Sequence, residues 1–100
     1  MLESFTVETF RAHLGSTFRI YVDARDSLEV ELLSATELDE RSSAQAGRRR
    51  PFSIVFRGPG DLLFPQRIYR IEHGQIGSFE LFLVPIGPDE KGLRYEAIFT

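Results

Sequence analysis

The chain of 100 residues contains no cysteine. That excludes disulfides, thiolate metal sites and cysteine nucleophiles, and it fits a reducing cytosol. Neither sign of charge dominates: 12 basic and 15 acidic side chains leave a formal charge of −3. No global field therefore draws the chain to nucleic acid or to an anionic membrane. Long apolar runs are missing too, and nothing approaches the roughly 20 residues of a bilayer-spanning helix. The opening "MLESFTVETF" holds acids and no basic leader, so it is not a signal peptide. These absences predict a soluble protein, cytoplasmic by default or carried within an exported assembly.

Aromatic residues, by contrast, are plentiful. Nine phenylalanines and three tyrosines stand within an apolar content of 42 %, enough for one globular core in a single domain, 1–100. Such side chains favour strands. "SFTVETFRAHLG" reads as a short helix over about 6–14, with Thr6 as N-cap and Phe5 and Phe10 at the spacing of a hydrophobic staple. Val7, Phe10 and Leu14 share its apolar face, and Gly15 suits the left-handed position after it.

Beyond Gly15 the hydrophobic period changes to two. Phe18, Ile20 and Val22, then Leu28, Val30 and Leu32, alternate with polar residues and predict a hairpin of strands over 17–23 and 28–38. The pattern blurs from Leu33. "SATE" (34–37) either opens a second helix or continues the strand as a twisted end, and the poor helix face formed by Leu33 and Leu38 favours the strand. A polar loop follows over 39–50. Further strands are expected over 51–58, 67–73, 78–86 and 93–99, and the C-terminal half reads as a meander. Strand 78–86 is apolar on both faces, so its second face calls for the helix, the long loop or another chain. The sum is a mainly β fold: a small antiparallel six-stranded partly open barrel or rolled sheet, with one short N-terminal helix plugging an end or covering a face.

Catalytic motifs are scarce. "FRGPG" (56–60) stops a strand in glycines, but it lacks the Gly-Lys-Ser/Thr ending and the helix of a phosphate loop. Pro59 also removes an amide donor where a phosphate cradle needs one. Two histidines, His13 and His73, have no metal-like spacing, and no Gly-x-Ser-x-Gly elbow occurs. No catalytic residue, metal ligand or cofactor is assigned. Arg48, Arg49 and Arg50 form a cationic loop, read as flanking an apolar strand or meeting an acidic partner rather than nucleic acid. Leu62, Leu63 and Phe64 sit between prolines where a loop should be polar; they either cap a barrel end or form an exposed patch. The last strand, if it lies at an edge, invites pairing with another chain.

The series "PFSIVFRGP", "PQRIYRIEH", "GSFELFLVPIG" and "YEAIFT" resembles a small bacterial family of free-standing domains of about this length, known only as a domain of unknown function. The first half matches more loosely, through "FRAHLGSTFRI". The resemblance implies genes near those of phage-tail-collar-like proteins, and hence a part in a tail-derived or fibre-like assembly; it implies no catalytic residues. Two functions are expected from these features. The leading one is a non-enzymatic module that binds a protein partner or itself through Leu62, Leu63, Phe64 and Arg48 to Arg50. The alternative is a small-ligand-binding or hydrolase-like barrel mouth using Arg57, His73, Tyr69 and Tyr95.

Overall fold

A computed structural model of the protein describes residues 4–38, 50–61 and 63–100. The period-3.6 run becomes α1 (Val7–Arg11), and the alternating runs become β1 (Thr17–Tyr21), β2 (Ser27–Glu37), β3 (Phe52–Gly58), β4 (Arg67–His73), β5 (Gly77–Pro88) and β6 (Leu93–Phe99). The strands close into an antiparallel barrel in the order β1-β2-β3-β6-β5-β4, with β4 returning to β1 through Arg19↔Glu72, Ile20↔Ile71 and Tyr21↔Arg70.

Closure corrects three expectations. The barrel is not partly open. β3 does not begin the meander, because it pairs with β2 and β6 while the meander is β4-β5-β6. Nor is β6 an edge awaiting a partner, since it lies between β3 and β5. A narrow barrel with every strand paired removes the edge problem by geometry.

The blurred pattern after Leu32 has a local cause. β2 bulges between Leu32 and Ser34, so Leu32 and Ala35 both point inward, and the strand carries on to Glu37 in the position where a second helix was the competing reading. Pro85 has no amide to give the ladder. β5 absorbs it with a bulge between Pro85 and Gly87, the latter at φ +100°, and thereby runs to Pro88, beyond the expected end.

The helix is shorter than its apolar spacing predicts. It ends at Arg11, and Leu14 is exposed rather than part of its buried face. Thr6 N–H donates to Thr9 Oγ1 at 3.0 Å across the first turn. Phe5 packs edge-on against Phe10 with ring centroids 5.5 Å apart, the staple that fixes the chain's entry. Phe10 is fully buried and meets Phe18, Phe52, Phe79 and Phe99, so α1 stops one end of the barrel like a cork.

Candidate functional site

The opposite end is closed by the loop after β3. Gly58 points inward, where an added Cβ would lie 3.3 Å from Val30 Cγ1, 3.6 Å from Tyr95 and 3.9 Å from Phe64. Val30 is the tight neighbour there, and the Phe64 ring beyond it stacks on Tyr95 at 4.1 Å and meets Tyr69 edge-on at 5.3 Å. Both tyrosine hydroxyls hold the cork in place. Tyr95 Oη accepts from the Phe64 amide at 3.3 Å, and Tyr69 Oη donates to the Pro65 carbonyl. Burial pushes both phenols above their ordinary pKa. A phenylalanine at either position would fill the same space but leave a backbone group without that partner.

The expected exposed patch is therefore divided. Phe64 is buried as a cap, which corrects its assignment to a partner surface, while Leu63 is 63 % exposed. Leu62, Arg48 and Arg49 lie outside the described residues. Arg50 reaches Glu37 of its own chain at 3.7 Å.

The four residues of the alternative ligand site are not brought together. Tyr69 and Tyr95 stand inside, at the Phe64 end. His73 closes β4 at the helix end. Arg57 points outward from β3, where Nε donates to Asp89 Oδ2 at 2.8 Å and Nη1 lies 3.4 Å from Glu31 Oε1. The Arg57 guanidinium, with the amides of Lys91 and Gly92, holds the Asp89 carboxyl down at about 2. This clip pins the β5–β6 hairpin onto the end of β3. Gly92 is packed there so closely that a Cβ would fall 2.2 Å from the Gly58 carbonyl oxygen.

His73 has a partner that sequence spacing did not suggest. The turn after α1 carries the His13 ring to 4.6 Å from the His73 ring, so residues read as unrelated meet at the α1 end of the barrel. His73 Nδ1 accepts from the amides of Gln75 at 3.1 Å and Ile76 at 3.3 Å. Its proton must then sit on Nε2, which donates to Ser16 Oγ at 3.1 Å, while that hydroxyl donates to the His13 carbonyl. Burial, with the His13 charge second, lowers the His73 pKa. Both ring nitrogens are committed to holding turns. An open groove of about 600 Å³ lies alongside, lined by Arg19, Glu29, Glu72 and His73 among others. Arg19 and Tyr21 both reach Glu72 in this wall, at 3.9 Å and 3.1 Å. No cluster of three or more His, Cys, Asp or Glu able to hold a metal occurs among the described residues.

The outside of β4-β5-β6 is of another kind. Ile68, directly paired with Phe82, and Ile98 on β6 are 61 %, 51 % and 59 % exposed. The ladder between β5 and β6 runs from Pro88↔Leu93 to Val84↔Glu96. Beyond it, Ile68, Phe82 and Ile98 line a shallow groove of about 370 Å³ floored by Leu81 and Phe99. The second apolar face of β5 is thus exposed rather than covered by α1, which packs on β2 and β3. Alternation could have located this wall: Ile68, Phe82 and Ile98 occupy the out-facing, normally polar positions of three strands.

Among the described residues no helix is long and apolar enough to cross a membrane. No curated protein and no solved structure matches the chain. A family model described as "Domain of unknown function (DUF6916)" matches residues 5–99, nearly the whole chain, and the protein belongs to that family.

Proposed function

We propose that the protein is a non-enzymatic binding or assembly module that docks another protein through the outer wall of β4-β5-β6. One observation carries this reading: three large apolar side chains, Ile68, Phe82 and Ile98, converge on the outside of a barrel whose interior is already filled. Contiguous exposed apolar surface on a small domain marks a contact site. Leu63 adds a second exposed apolar position, on the loop that carries the Phe64 cork. A part in a tail-like or fibre-like assembly, beside a tail-collar-like protein, is the form of this role that the family resemblance suggests.

The small-ligand or hydrolase-like reading has less support. Its four residues occupy three separate places, and the nitrogens of His73 are engaged with Ser16 and two backbone amides. The test is capture of the products of the neighbouring genes by the full chain, compared with the Phe82→Thr/Ile98→Thr variant. Threonine keeps strand propensity while removing the apolar surface. Loss of capture with an unchanged melting temperature supports the wall. Equal capture by both proteins refutes it.

A further inference from the structure

The α1 plug is held differently on its two sides. On one side it packs on β2 and β3, with Arg11 Nε donating to the Ala35 carbonyl at 3.2 Å. Gly15 and Ser16, which follow it, are tied to β2 by two backbone bonds with Leu32, at 2.8 Å and 3.1 Å. Toward the β4–β5 hairpin the same segment sets Phe5 and Phe10 against Phe79, the His13 ring 4.6 Å from the His73 ring, and Ser16 Oγ 3.1 Å from His73 Nε2. The histidine contacts are of a kind that protonation reverses. We propose that His13 and His73 form a latch between the α1 turn and the β4–β5 hairpin, and that the latch lets go in acid, loosening the plug on that side of the barrel.

Neutral His73 uses both ring nitrogens, Nε2 toward Ser16 and Nδ1 as acceptor for the Gln75 and Ile76 amides. A second proton turns Nδ1 into a donor that faces two donors. It also sets a cation against the His13 ring, and two charged imidazoles at that separation repel. Phe18, with its ring 4.3 Å from His73, carries no counter-charge. Among the charged side chains on the surrounding elements, Arg19 of β1, Glu29 of β2 and Glu72 of β4 line the groove beside His73, to which β5 adds the uncharged Gly77 and Ser78, while Glu8 and Arg11 lie on α1. Glu72 is taken by Tyr21 and Arg19, Glu8 by Arg11, and the engaged nitrogens of His73 reach none of these carboxylates. An opened His73 titrates at its ordinary 6.5 and the latched ring below it. The latch is therefore fully shut above 6.5, and acid favours opening increasingly below that value until the latched ring is charged too.

The experiment is amide hydrogen exchange of the full chain at about pH 7 and about pH 5, corrected for the intrinsic pH dependence of exchange. Opening of segments 5–16 and 73–79 should rise about tenfold at the lower pH, while β3 and β6 keep their protection. His73→Asn, which does not titrate, should abolish the rise. His13→Asn leaves the bonds of His73 in place and removes the opposing charge, so the rise should begin at a lower pH. A second measurement does not depend on the His73 variant folding: the imidazole titration of His73 followed by nuclear magnetic resonance, whose midpoint should move up when His13 is replaced by Asn. An increase spread evenly around the barrel overturns the latch, as does no increase at all or an increase that persists in a folded His73→Asn chain. A His73 midpoint indifferent to His13→Asn overturns it as well, because the two rings would then not act as a pair.

Discussion

A proton on His73 Nδ1 would break two turn-forming bonds at once, because that nitrogen accepts from the amides of Gln75 and Ile76. Burial, and after it the charge on His13, holds the folded pKa below the ordinary 6.5, so the folded state prefers the neutral ring. The unfolded chain binds this proton more readily, so stability should be constant above the ordinary value and decline as pH drops below it, until the folded pKa is passed. Unfolding midpoints in urea from about pH 7 to about pH 5 read this directly. His73→Asn keeps an acceptor near the turn but cannot titrate, and its curve should be flatter; an identical slope would rule out His73 as the source. Tyr95 makes a comparable argument without a proton. Tyr95→Phe preserves the stacking on Phe64 and removes the acceptor for the Phe64 amide. Leaving a buried donor unmet costs about 1–3 kcal/mol. A loss within that range in chemical denaturation is expected, and no loss would show that the amide finds another acceptor.

At the scale of elements, the two corks divide the labour of sealing the barrel. Phe10 is fully buried among Phe5, Phe18, Phe52, Phe79 and Phe99. Phe10→Ala should cost about 3–5 kcal/mol, since Phe18, Phe52, Phe79 and Phe99 sit on four different strands and cannot close on the gap together. Circular dichroism should show weakened near-ultraviolet signal even where the strands persist; an unchanged melting temperature would deny the helix its role as a plug. The element pattern was largely legible, because alternation reports which side of a strand faces inward, and six runs of it are present. The staple of Phe5 and Phe10 was legible for the same local reason. Pairings distant in sequence were not. Whether β3 lies beside β4 or β6 depends on where the chain crosses the barrel, and no residue of "PFSIVFRG" encodes that choice by itself. The His13–His73 contact was invisible on the same ground: a turn after α1 and a closed sheet are both needed to bring the rings together. Phe64 had two readings, cap or patch, and its burial against Tyr69 and Tyr95, contacts distant in sequence, decides for the cap.

The whole molecule is a ring, and a ring is as strong as its shortest ladder. That ladder joins β1 to β4 by only three registered pairs, whereas β3 and β6 share seven. It also joins residues far apart in sequence, so its closure is entropically the most demanding step. The outside of this seam carries a compensating cluster. Arg19 and Tyr21 both reach Glu72, Arg70 stacks over the Tyr21 ring at 3.9 Å, and Arg67 donates to the Val22 carbonyl. Glu72 is the hub, since it meets both Arg19 and Tyr21 from one carboxylate oxygen. Each of these contacts is half-exposed, screened by solvent and weak alone. Their placement on the weakest seam makes them matter for local opening more than for global stability. Glu72→Ala should therefore speed amide exchange in β1 and β4 while leaving β3 and β6 protected, with only a small shift in the unfolding midpoint. If exchange instead rose evenly around the ring, the barrel would open only as a whole and the seam would have no separate identity. If nothing changed, the hydrogen-bonded pairs and the buried Ile20 and Ile71 would suffice to hold the ring shut.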